Sequence, residues 1–261
     1  MGSINTSISP EIKPIKKEKY ILGIIDPQKD FFSGGKWYST GSDGIIGPIN
    51  KLRFGCVDHV DTFITVNSYP PNHISFDSTH NQKELEKIKL DLEISNNSIN
   101  RNSSIDRNSS IEHINQIVLS TPTSTPTHCV QDTVGQQIYQ DLIVLKRDKI
   151  FIKGAYQNIQ TYSAFGDKFD CKYENTGLDK WLKSTDTKNI ILIGIGIDTC
   201  IGNTAKEAIK LGYNVHIILS CVCGFEKNSS YSVLHELEYL GAKLYDDVDI
   251  FLQLCEIFAK N

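Results

Sequence analysis

The chain lacks any apolar run of the roughly 18 residues that a membrane-spanning helix requires. It also lacks an excess of positive charge: 27 Lys and Arg stand against 31 Asp and Glu, a net charge of −4. Neither a nucleic acid nor a membrane surface is therefore the expected partner. The seven cysteines are odd in number and irregularly spaced, which fits reduced thiols better than a disulfide framework. Met1 to Lys19 is polar and has no apolar signal-peptide core. These absences point to a cytoplasmic enzyme, and 261 residues suit one well-packed domain better than two.

Two segments look unstructured. Residues 1–18 read as a disordered leader. Residues 83–127 read as a low-complexity insertion in a single domain covering 19–261. In that insertion Arg-Asn-Ser-Ser-Ile occurs at Arg101–Ile105 and again at Arg107–Ile111, and the end alternates Thr and Pro up to Thr127. Such a polar, aromatic-free stretch buries too little surface to offset its ordering entropy, although its charged start suggests a short helix.

The remainder alternates strand and helix. Strands are predicted at Tyr20–Ile25, Thr62–Val66, Leu142–Leu145, Ile150–Ile152, Asn189–Gly194 and Asn214–Leu219. Helices are predicted at Ile46–Val57, Leu178–Lys183, Thr199–Leu211, Ser229–Leu240 and Asp249–Ala259. Continuous apolar strands between amphipathic helices imply an α/β fold, a three-layer α/β/α arrangement around a mainly parallel sheet. Ligands bind beyond the carboxyl ends of such strands, which singles out Asp26, Asn67, Lys153 and the stretch up to Cys200. Cys200 begins a predicted helix, where the dipole would lower its thiol pKa. A lysine entering that edge needs an anionic partner. Asp26, Lys153 and Cys200 together would make a nucleophilic triad, and residue types and spacing carry the argument no further.

The local sequences add a resemblance. Ile25-Asp-Pro-Gln-Lys-Asp-Phe31 with Gly34-Gly35, Pro71-Asn-His-Ile-Ser-Phe76, His128-Cys-Val-Gln-Asp-Thr-Val-Gly135, Lys153-Gly154 through Tyr162-Ser-Ala-Phe165, and Gly194–Ile201 with Thr204-Ala205 occur in this order. Together they resemble the nicotinamidase branch of the isochorismatase-like cysteine hydrolases. The resemblance implies that Cys200 attacks a carboxamide to give a thioester and ammonia, that Asp26 moves the protons, and that Lys153 steadies both. It implies an oxyanion hole from the N–H groups of Gly196 and Cys200, with a cis peptide at Ile195–Gly196, and a substrate ring held by Phe31, Tyr162 and Ile195. It also implies a divalent metal of zinc, iron or manganese type, with ligands at the positions of Asn67, Tyr69, His73 and His128.

The metal half departs from the pattern. An Asp-Trp-His motif is expected where Asn67-Ser68-Tyr69 stands, and amide oxygen and neutral phenol are poor ligands for such ions. His73 and His128 remain, with Asp77 or His80 as recruits. The tryptophan expected three residues before His128 is Thr125, which leaves Trp37 as a replacement wall. Cys221 and Cys223 read as core or near-site thiols. The leading expectation is hydrolysis of nicotinamide to nicotinate, in NAD salvage and pyridine nucleotide metabolism. The partner would be a small carboxamide, and the family is often homo-oligomeric. Two alternatives stay open: a metal-free hydrolase of another small amide or of an isochorismate-like vinyl ether, and a catalytically silent binding protein.

Overall fold

The computed structural model describes residues 19–56, 60–79, 125–157, 159–169 and 172–253. The expected leader lies outside the described residues, as does the expected insertion up to 124. At the insertion's far end Thr125 is buried and bridges Phe76.

The described residues contain eight strands: β1 (Tyr20–Ile25), β2 (Asp61–Asn67), β3 (Lys149–Lys153), β4 (Gly166–Phe169), β5 (Lys172–Asn175), β6 (Asn189–Ile195), β7 (Asn214–Cys223) and β8 (Lys243–Tyr245). Six of them make one sheet in the order β3-β2-β1-β6-β7-β8, with every pairing parallel. β4 and β5 form a separate antiparallel pair. The described helices are α1 (Ser42–Cys56), α2 (Leu178–Ser184), α3 (Cys200–Lys210) and α4 (Lys227–Tyr239), and a further helical segment begins at 248.

Side chains alternate across each strand, and both faces are apolar. Leu22, Ile24, Ile191 and Ile193 pack on Ile49 and Leu52 of α1. Ile21, Ile25, Ile190 and Leu192 pack on Leu178 and Leu182 of α2 and on Ile201, Ala205 and Ala208 of α3. The three-layer expectation therefore holds. The chain order runs outward in opposite senses from β1 and β6, which makes their carboxyl ends the topological switch point, where ligands bind in sheets of this kind.

One predicted strand is absent. Leu142–Leu145 is irregular because its N–H groups find side chains instead of a ladder: Ile143 donates to Asn50 Oδ1 and Leu145 to Asp148 Oδ2. Only Leu142 of the run is buried, while Ile143 and Val144 face outward. The expected final helix is described as far as residue 253.

At the amino end of β7, His216 is buried among Tyr20, Tyr245 and Phe251. Its Nδ1 meets the Tyr245 hydroxyl at 3.0 Å, while Nε2 has no partner among the described residues. Burial, helped by Lys243, pushes its pKa down from 6.5 to about 4. Between those values the unfolded chain binds a proton that the folded chain refuses, so stability should fall as pH drops from 6.5 to 4. Urea unfolding at successive pH values should show that slope, and His216→Phe should reduce it; an unchanged slope would refute the assignment.

Candidate active site

Four strand ends converge at the switch point. The register pairs Asn67 with Lys153 across β2 and β3, and Ile25 with Gly194 across β1 and β6. Asp26 follows β1 in a left-handed backbone conformation, φ 49°, a strained choice for a residue with a Cβ. Thr65 holds it there. The Thr65 hydroxyl accepts from the Asp26 N–H at 3.1 Å and donates to Asp26 Oδ1 at 2.7 Å.

Lys153 is fully buried, and its Nζ lies 2.9 Å from Asp26 Oδ2 and 3.4 Å from Cys200 Sγ. It also donates to Asn67 Oδ1 at 2.5 Å and to the Thr161 carbonyl at 3.4 Å. The sequence-predicted carboxylate, ammonium and thiol are thus brought together. Burial opposes the charge on Lys153, but Asp26 and Cys200 more than compensate and hold its pKa above the ordinary value.

Two expectations about the nucleophile are corrected. The Cys200 pKa is not lowered overall: burial pushes it up to about 12, with Lys153 opposing and Asp26 adding to the rise. A helix dipole acting on a buried thiol is weaker than the desolvation it opposes. The Gly196 N–H is not an oxyanion donor here, because it donates to the Cys223 carbonyl at 2.7 Å. The described residues contain no cis peptide, and the turn is made instead by Gly196 at φ +81°, which glycine adopts without strain. The N–H of Cys200, at the start of α3, remains as the donor beside the sulfur.

The aromatic residues form a wall on the α1 face. Trp37 stacks on Phe225 at 4.2 Å between ring centroids and meets His128 at 4.4 Å, with Phe31 packed against all three. Trp37 thus supplies a wall that Thr125 cannot. Ile195 is buried in the same cluster, whereas half-buried Tyr162 packs in the opposite cluster, which includes Cys200. Sequence reasoning missed Phe225. Its backbone N–H and that of Glu226 are held by the Asp198 carboxylate, at 3.0 and 2.7 Å respectively, which ties the nucleophile turn to the wall. The strand-end rule applied to Cys223 would have found it.

Residues 112–247, over half of the chain, match the isochorismatase domain model. The chain belongs to the isochorismatase-domain family. A nicotinamidase of Acinetobacter baylyi is 29% identical over 221 residues, covering 84% of this chain and 88% of that protein. A solved nicotinamidase/pyrazinamidase of Acinetobacter baumanii superposes with a TM-score of 0.68 at 24% identity, covering 90% of this chain and 100% of that one. A pyrazinamidase of Pyrococcus horikoshii, solved in complex with zinc, gives 0.64 at 23% identity, covering 87% and 98%.

In this member of the isochorismatase-domain family the positions expected to hold a metal are committed elsewhere. His73 Nδ1 accepts from the Ser75 N–H at 3.2 Å and lies 2.8 Å from the Ser75 hydroxyl. Its Nε2 therefore carries the proton and donates to the Ile159 carbonyl at 3.0 Å. His128 donates from Nδ1 to the Pro126 carbonyl at 2.7 Å, and burial pushes its pKa down to about 4. The Asn67 backbone is clasped by the Gln28 amide, which accepts from its N–H and donates to its main-chain carbonyl, while its side-chain Oδ1 accepts from Lys153 and Tyr69. Asp77 lies in an exposed 3₁₀ turn, and His80 falls outside the described residues.

Thr65 was also invisible to motif reasoning, being an ordinary β-branched strand residue until β1 and β2 are paired. Thr65→Val keeps the shape but strips Asp26 of its clamp. It should cost about 1–3 kcal/mol of stability in urea and lower kcat about ten- to a hundredfold with little change in KM. Wild-type kcat in a folded variant would remove Thr65 from the machinery.

Proposed function

We propose that the chain is a cysteine amidohydrolase that converts nicotinamide to nicotinate and ammonia. The observation that carries this reading is the buried contact of one ammonium with both a carboxylate and a thiol, at 2.9 and 3.4 Å. Its aromatic wall suits a flat ring, and its nicotinamidase relatives favour this substrate among small carboxamides.

The buried thiol gives its proton to Asp26 as the sulfur attacks the carboxamide carbon. Lys153 offsets the charge while it is on sulfur, and the Cys200 N–H receives the developing oxyanion at the dipole end of α3. Protonated Asp26 then passes its proton to the departing nitrogen, which leaves as ammonia and creates a thioester. Asp26 next takes a proton from water, whose oxygen attacks the thioester carbon. Collapse releases nicotinate and returns the proton to sulfur, so one amide and one water give one acid and one ammonia. Phe31, Trp37 and Ile195 flank the ring, with Tyr162 on the thiol side.

The five described cysteines are all free, which supports a reducing, cytoplasmic setting; conversion of nicotinamide to nicotinate would give the chain a place in NAD salvage. No described helix is long and apolar enough to cross a membrane.

Purified protein should release ammonia from nicotinamide, and Cys200→Ala should reduce that rate by about a thousandfold or more. Release that survives Cys200→Ala would refute the thioester route. No release from nicotinamide would refute the substrate.

A further inference from the structure

A zinc-type ion needs at least three protein donors with free lone pairs. Both His73 nitrogens are spent, one accepting from Ser75 and one protonated against Ile159. Asn67 Oδ1 already accepts from Lys153 at 2.5 Å and from the Tyr69 hydroxyl at 3.2 Å. Tyr69 donates its hydroxyl proton to that oxygen, and a neutral phenol is a poor ligand for such ions. Its ring packs against both imidazoles, 4.4 Å from His73 and 5.1 Å from His128. The ring sits where a Cβ on Gly154 would overlap it. Of the four expected positions only His128 Nε2 keeps a lone pair of the kind such an ion binds well, the neutral Tyr69 oxygen being a poor donor, and the described residues hold no group of three or more His, Cys, Asp or Glu able to bind a metal.

Charge balance leads to the same place. Asp26 and Lys153 form a fully buried pair of zero net charge. A carboxylate at position 67, within hydrogen-bond reach of the same ammonium, would leave one uncompensated negative charge in a desolvated site. A divalent cation would relieve that charge. Asn67 supplies an acceptor without it.

We infer that this amidase site works without a divalent metal, and that Asn67 and Tyr69 act instead as positioning residues for Lys153. The inference rests on the amidase reading for its kinetic consequence but not for its metal content. With no ion to grip a ring nitrogen, recognition falls to the aromatic wall and the carboxamide itself, so aromatic carboxamides lacking that nitrogen become substrates.

The test begins with metal analysis of full-length protein purified without chelator, which should give far less than one transition metal per chain. Ammonia release should be indifferent to chelator and to added Zn²⁺. Benzamide and nicotinamide should differ in kcat/KM by no more than about tenfold. Zn²⁺ should leave the melting temperature of the natural chain unchanged and raise that of the Asn67→Asp/Tyr69→His variant, which should bind about one Zn²⁺ per chain. One tightly held metal per chain in the natural protein, or chelator-abolished hydrolysis, would overturn the inference whether or not the variant folds. Metal-free protein that ignores nicotinamide would count against the substrate assignment and leave the metal inference standing.

Discussion

The buried ammonium of Lys153 is the constraint on which the rest of the site depends. An isolated charge in a protein interior costs several kcal/mol, so every nearby element supplies an acceptor. β1 delivers Asp26, β2 delivers Asn67, the loop after β3 returns the Thr161 carbonyl, and α3 brings the Cys200 sulfur. These groups come from segments distant along the chain, and parallel pairing of β1, β2, β3 and β6 is what brings their ends together. The left-handed backbone of Asp26 fits this demand, since it aims one carboxylate oxygen at Lys153 and the other at Thr65.

That arrangement bears on the proposed role of Cys200 as nucleophile. Burial pushes its thiol pKa up to about 12, and the carboxylate that would take the proton in the proposed reaction is already in place. The pair of Asp26 and Lys153 is neutral as a unit, so moving the proton from sulfur to Asp26 redistributes charge within the cluster without adding any. A net negative site would resist formation of the thiolate, which is a second reason for an amide, rather than a carboxylate, at position 67.

The aromatic side of the pocket is joined to the chemical side through short polar links. Asp198 lies inside the nucleophile turn and fixes the backbone beneath Phe225, on which Trp37 stacks. Asp30, buried after β1, accepts from the Cys129 N–H at 2.7 Å and from the Lys36 N–H at 3.2 Å. It thereby anchors both the loop of His128 and the approach to Trp37. The wall is therefore set by the same two turns that carry Asp26 and Cys200.

The layers of the fold, and the arrival of Asp26, Lys153 and Cys200 at one edge of the sheet, were legible in the sequence, because continuous apolar runs buried on both faces end in polar residues at the binding edge of a parallel sheet. The strand expected at Leu142–Leu145 was misread because β-branched composition cannot reveal that side chains of Asn50 and Asp148 claim its N–H groups. The direction of the thiol's pKa shift was missed because position at a helix terminus is visible in sequence, whereas burial is not. By itself the sequence determined which groups arrive at the edge: a carboxylate, an ammonium, a thiol, and an amide and a phenol where metal ligands were expected. Only the tertiary structure decided what those groups do to one another. Lone pairs already taken, a tyrosine ring seated against two imidazoles and a shared ammonium are relations between distant segments, and they exist only once the sheet has formed.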